Sequence, residues 1–272
     1  MNLRRSHPLR GLAAFTMVEI ALCLAIIGFA LVAIIGVLPA GLNVQKENRE
    51  DTVINQDATL FMNAIRNGDK GYDELTNFVE RITVSRVRFL APNFTTTRQE
   101  PRIIGEPTLE FGPDVLLTNG ANIIGLLSTP KYQAVEDGFI SNHVVAYFRA
   151  VSGNAAEKVD RSNTARELSF AYRLISEVTP PLYTDYYQVY TNDTGYAFSR
   201  NMHDVRLVFS WPLISPPDRN RSLSLLTNVG SSRLVFRSQV SGYMGGVPIP
   251  NVGDTNSFFF FLNPEGNGRL TL

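Results

Sequence analysis

Residues 11 to 41, "GLAAFTMVEIALCLAIIGFALVAIIGVLPAG", form an almost unbroken apolar run, and from Phe15 to Leu38 only Thr16 and Glu19 are polar. As an α-helix rising 1.5 Å per residue, this segment reaches roughly 36 Å, enough to cross the hydrocarbon of a bilayer. Pro39 should kink the helix and Gly41 should loosen it. The chain after them, "NVQKENREDTVINQDATLFMNAIRNG", resumes a helical pattern to about Arg66. Ile54, Ala58, Phe61 and Ile65 recur at steps of four, three and four, a stripe that can lie on a sheet. Gln45 to Thr52 is polar throughout and reads as a stem, and Asn67-Gly68 is a stop.

Beyond Gly68 the period changes from 3.6 to two. "NHVVAYFRAV", "RELSFAYRLISEV", "HDVRLVFSWPL" and "SRLVFRSQV" alternate, with Val205, Leu207, Phe209 and Trp211 on one face and Arg206, Val208 and Ser210 on the other. Such runs predict half-buried strands of an antiparallel sheet. "SFFFFLN", residues 257–263, is apolar on both faces and predicts a buried late strand, because an exposed run of four Phe invites aggregation. Pro180-Pro181, Pro216-Pro217 and Gly245-Gly246 mark loops, and the stretch from Pro92 to Pro113 reads as irregular, giving long excursions around a small sheet. The fold class is therefore α+β, a long N-terminal helix packed on an antiparallel sheet.

Composition narrows this picture. The 272 residues carry 25 basic and 25 acidic side chains, so no general field draws nucleic acid or an anionic membrane, and no nucleic-acid partner is expected. Arg4, Arg5 and Arg10 precede the apolar run without an acid, which by the positive-inside tendency keeps the N-terminus cytoplasmic and sends the chain after Pro39 across the membrane. In a bacterium this places the C-terminal domain in the periplasm. The single cysteine, Cys23, lies within the apolar run, so no intramolecular disulfide staples the fold.

Glu19 is the anomaly. An isolated acid at bilayer depth costs about 2.5–3.5 kcal/mol on insertion scales and so calls for a partner or a task. A secretory signal has an apolar region of about 7–15 residues and a cleavage site of small residues, and Leu38-Pro39-Ala40 is a poor one. A lipoprotein signal ending at Cys23 would place a bulky Leu22 directly before the cysteine. Neither accounts for Glu19, which in a lone anchor would pair within its own chain or snorkel to the interface. Ala21, Ala25, Gly28 and Gly36 supply small residues for close helix packing.

The basic leader followed by Ala14 and Phe15-Thr16-Met17-Val18-Glu19 resembles the amino terminus of type IV pilins and type II secretion pseudopilins. The resemblance implies a pilin-like fold and cleavage between Ala14 and Phe15 by a prepilin peptidase, although Gly is the usual residue where Ala14 stands. It further implies methylation of the new Phe15 amino group and assembly with other pilin-like subunits and their machinery. Glu19 then becomes an assembly carboxylate that pairs with a neighbouring subunit's amino terminus, since each of two buried opposite charges compensates the other. The implied organisation is a leader over 1–14, a transmembrane assembly helix over 15–38, a stem and sheet-packing helix over 39–67 and a periplasmic β-rich domain over 68–272. More narrowly, "IIGLLSTPKY" at 123–132, "HDVRLVFSWPL" and "SRLVFRSQVSG" resemble the Verru_Chthon cassette protein B family. The implied location is the bacterial inner membrane as a single-pass protein, with entry into a filament after processing.

Catalytic signals are thin. There is no nucleophile elbow, phosphate loop or His-Glu zinc pair, and His7, His143 and His203 lack neighbours at ligand spacing. No metal, cofactor or catalytic residue is expected, and the protein is read as a non-enzyme. Glu50-Asp51 reads as solvated stem. Tyr183, Tyr186, Tyr187 and Tyr190 around Asp185 form a cluster able to bind a glycan or protein surface, though tyrosines covering a loop are the plainer reading. Asp137, Asp193 and Asp254 fall in Gly/Asn-containing loops without calcium-loop spacing.

Overall fold

The computed structural model describes residues 15–68, 71–90, 103–112, 116–135, 138–152, 170–179, 201–213, 229–250 and 258–263. Two compact units emerge, one ending at Asp51 and one beginning at Thr52. Helix α1 runs from Met17 to Asn67 and contains Pro39 without interruption. Pro39 costs the helix one backbone bond, and the helix is continuous through it. Within α1, the segment from Met17 supplies a window of mean hydropathy 3.0, long and apolar enough to cross a membrane. This is consistent with a single-pass anchor.

In the second unit the end of α1 buries Ile54, Ala58, Phe61 and Ile65, the stripe read from the sequence, together with Asp57, Met62 and Ala64. Each fully buried large side chain of this stripe contributes about 1.5–3 kcal/mol of transfer free energy. The helix stops where expected: Gly68 takes φ +72°, and a Cβ there would lie 2.7 Å from the Leu262 carbonyl oxygen. A left-handed glycine just past the last turn is the usual helix terminator.

A short 3₁₀ helix, Asp73–Asn77, leads into strand β1, Val79–Leu90. Then come β2 (Ile103–Gly105), β3 (Leu109–Phe111), α2 (Gly120–Leu127), β4 (Tyr132–Val135), β5 (Gly138–Arg149), β6 (Ala171–Thr179), β7 (Met202–Leu213), β8 (Val229–Ser241), β9 (Tyr243–Pro248) and β10 (Phe258–Asn263). The main sheet has the order β2-β1-β5-β6-β7-β8, with β3 also on β1 and β4 also on β5; all of its ladders are antiparallel. Among the described residues it has eight strands, so it is not the small sheet the loop signals suggest. Strands β2 and β3 lie inside the stretch read as irregular. They escape sequence detection because three residues on either side of Pro107 are too few for a period to register.

One face of the sheet carries Ile82, Ala146, Leu174 and Phe209, all fully buried. Phe61 of α1 packs on Phe148 and Phe209 at centroid distances of 4.7 and 6.3 Å. On the opposite face one unbroken row of paired residues crosses six strands: Glu110, Thr83, Val145, Ile175, Val208 and Val235. Val208 and Ser210, assigned by alternation to a solvated face, are only 2% and 5% exposed; Val208 stands between Ile175 and Val235, and Ser210 between Arg173 and Arg233. In β10 only Phe259 and Leu262 are fully buried. It pairs with β9 alone in a separate hairpin, so it is half-buried rather than covered on both faces. Gly245 and Gly246, read as a loop, sit inside β9 opposite Phe261 and Phe260. A Cβ on Gly246 would meet the Phe258 side chain at 3.4 Å, an ordinary van der Waals contact.

Candidate functional site

The N-terminal end of α1 holds the residues that the sequence singles out. Thr16 is the helix N-cap, since Ile20 N–H donates to its carbonyl at 3.2 Å as the first bond of the helical ladder. The Thr16 backbone N–H and hydroxyl both donate to Glu19 Oε2 at 2.9 Å, and the Glu19 backbone N–H donates to Thr16 Oγ1 at 3.3 Å. This is a capping box, the reciprocal arrangement in which a Thr at the cap and a Glu three residues on satisfy each other's backbone donors. The signature Thr16-x-x-Glu19 is present in the sequence as such. Among the described residues, Glu19 Oε1 accepts no bond, so the carboxylate is anchored through one oxygen and open through the other.

Phe15 precedes the helix and is 80% exposed. Ala14 and the arginines of the leader lie outside the described residues. Ala21, Ala25, Gly28 and Gly36 are all exposed along α1, and nothing lies within 4 Å of a Cβ built on Gly28 or Gly36. Cys23 is a free thiol, exposed on the same segment. The apolar half of the helix is thus an unburied surface whose large side chains stay open, from Met17 at 88% to Leu38 at 50% exposed.

A second polar centre was not anticipated from the sequence. Asp57, in the buried stripe of α1, is fully buried. It accepts from Val151 N–H at 3.0 Å and Tyr172 Oη at 2.8 Å through Oδ2, and from Ser152 N–H at 2.8 Å through Oδ1. Burial, then the neighbouring Asp57 charge and hydrogen bond, push the Tyr172 hydroxyl well above its ordinary value. Asp57 therefore pins the helix to the end of β5 and to β6. It carries no approach for a substrate, so its role is structural. The only sequence signal was an acid one residue before Ala58 in an apolar stripe, which also describes a boundary position.

On the outer sheet face Glu177 Oε2 accepts from Arg206 at 2.7 Å and Oε1 from Lys131 at 3.4 Å. Burial works against the ionised carboxylate, but the Arg206 and Lys131 cations outweigh it and hold the Glu177 pKa below its ordinary value. Glu50, expected to be freely solvated, forms an i,i+4 pair with Lys46 at 3.8 Å. His203 is buried, its Nδ1 has no partner among the described residues, and burial depresses its pKa to about 4. His143 is exposed. A shallow open groove is lined by Arg86, Thr129, Gln133 and Asn142 with apolar side chains around them, and none of its lining residues is an acid, a histidine or a cysteine. Among the described residues no group of three His, Cys, Asp or Glu is placed to hold a metal. The tyrosines at 183–190 and Asp137, Asp193 and Asp254 lie outside the described residues.

These features define an α+β protein with an apolar N-terminal helix of membrane-spanning length. No protein-family model, curated protein or solved structure matches the chain.

Proposed function

We propose that the protein is a pilin-like subunit, of the minor pseudopilin kind, made as a precursor in the bacterial inner membrane and assembled through its N-terminal helix into a periplasmic or surface filament. The observation that carries this reading is the order of parts at one terminus: three arginines, then Ala14 and Phe15-Thr16-Met17-Val18-Glu19, opening an apolar helix whose far end packs on an antiparallel sheet. A prepilin peptidase cuts between Ala14 and Phe15, and the new amino group of Phe15 is methylated. The unburied apolar half of α1 is then the assembly surface, with Ala21, Ala25, Gly28 and Gly36 allowing close approach. The open oxygen of Glu19 accepts the amino group of a neighbouring subunit. No catalysis is assigned to the chain, and its partners are the peptidase, other pilin-like subunits and the assembly machinery.

One observation favours a second reading, an anchored domain using the leader for targeting alone: the capping box already gives Glu19 a partner inside its own chain. Glu19→Gln separates the two, because Gln still closes a capping box but carries no charge. For a filament subunit, intact-mass analysis of membrane-extracted Glu19→Gln finds a normal mature chain starting at N-methylated Phe15, while recovery in the sheared filament fraction falls by about tenfold or more, as expected when one partner of a buried pair is lost. A wild-type chain that retains residues 1–14, or a Glu19→Gln chain that assembles as well as wild type, refutes the reading.

A further inference from the structure

The two edges of the main sheet complement each other. Strand β8 closes one edge, and on the outer face it exposes Arg233, Val235 and Arg237. Neither arginine has a hydrogen bond or ion pair among the described residues. Arg237 also stands directly opposite Arg206 on β7, a like-charge pairing that weakens a ladder. Glu177 neutralises Arg206, and nothing described neutralises Arg237. Such a local conflict marks a position kept for something other than stability of the monomer.

At the other edge, β2 and β3 lie on β1 with a one-residue slip between their registers. This edge exposes Ile103, at 64%, and Glu110, an acid without a described partner. Of the described large apolar side chains beyond the stem, Ile103, Val235 and Val247 are the most exposed, and two of these three sit on opposite edges of one sheet. The strand directions agree as well. Every ladder in the sheet is antiparallel, so β8 runs with β1 and against β3. A β3 laid beside β8 in the continuing sheet is antiparallel to it.

We infer that copies of this chain associate head to tail through these edges, β8 of one copy beside β3 of the next. The row of paired residues that crosses the sheet begins at Glu110 and ends at Val235. When the row continues into a second copy, Glu110 faces Val235 and stands diagonal to both Arg233 and Arg237. Diagonal neighbours across strands lie about 7–8 Å apart, within reach of long side chains. One carboxylate is thus bracketed by two guanidinium groups that lack partners among the described residues. The contact uses different surfaces on the two copies, so it propagates instead of closing into a dimer. The twist between adjacent strands, roughly 20–25° in one sense, turns each added sheet relative to the last. This association rests on the globular unit alone and does not depend on processing at Ala14-Phe15.

The test uses the full chain in its native membrane, with Cys23→Ser to remove the native thiol and Thr108→Cys and Gln239→Cys added, both exposed and outside the bracket. A short bismaleimide should give a ladder of dimers, trimers and higher species from the double variant. Each single cysteine alone should give none, and a mixture of the two single variants should give dimer only. Adding Arg233→Glu with Arg237→Glu should lower the ladder about tenfold, the loss expected when like charges are juxtaposed, and adding Glu110→Arg should restore most of it. Dimer from Gln239→Cys alone shows an isologous contact and overturns the inference. So does absence of a ladder when both thiols react with a monofunctional maleimide, or a ladder indifferent to charge reversal. N-terminal analysis of the same samples keeps the two readings apart: a chain starting at Phe15 without a ladder removes the edge contact only, and a ladder from an uncleaved chain removes the processing only.

Discussion

Replacing Asp57 with Ala should be the most damaging single change in the second unit. Its carboxylate satisfies three donors: the backbone N–H of Val151 and of Ser152 and the hydroxyl of fully buried Tyr172. Removing it orphans all three, and a buried donor left without a partner costs about 1–3 kcal/mol. The expected loss is about 3–6 kcal/mol, a large share of the roughly 5–15 kcal/mol that holds a domain together. Tyr172→Phe alone should cost about 1 kcal/mol, the net worth of one hydrogen bond. In the double variant one of the three orphans no longer exists, so the losses should fall short of additivity by about 1–2 kcal/mol. The assay is denaturant unfolding of the detergent-solubilised full chain, followed by Trp211 fluorescence, for the four members of the cycle. An Asp57→Ala loss below about 1 kcal/mol, or strictly additive losses, would show that the carboxylate is not what pins α1 to β5 and β6.

Two further changes probe separate features. Gly68→Ala places a side chain at positive φ and within 2.7 Å of the Leu262 carbonyl; it should destabilise by about 1–3 kcal/mol, and thermal unfolding unchanged from wild type would contradict the steric argument. His203 has a folded pKa depressed from 6.5 to about 4, so the unfolded chain takes up a proton first as pH falls. Its contribution is fully present above about pH 6.5 and is lost toward pH 4, with an upper bound of about 3 kcal/mol. His203→Leu should flatten this acid limb while leaving neutral stability at or above wild type, and an unchanged slope between pH 6.5 and 4 assigns the acid sensitivity to other groups.

Residue pattern alone determined the elements whose environment is uniform along their length. The apolar run from Phe15 to Leu38, the stripe Ile54, Ala58, Phe61 and Ile65, and strands β5 to β8 were legible because each repeats one period against one surface for two turns or more. The stop at Asn67-Gly68 was legible because glycine tolerates the left-handed cap that other residues resist. The N-terminal motif was legible as chemistry, an acid where apolar residues belong, and Thr16-x-x-Glu19 carried its local geometry as well. Tertiary structure decided the rest. Strands β2 and β3 exist because β1 offers them a ladder; three-residue segments hold no periodic signal of their own. Gly245 and Gly246 are strand residues because β9 pairs them with Phe261 and Phe260 of β10, a partner far along the chain that their own dipeptide does not announce. Asp57 was not singled out by the sequence, and it is a core residue because the chain turn at Val151 and Ser152, almost a hundred positions away in sequence, aims two backbone N–H groups at it. Glu110 and Val235 begin and end the same row only after five antiparallel pairings have aligned them. Local sequence records the surface an element presents, whereas the identity of the opposing surface depends on long-range pairings whose partners share no pattern between them.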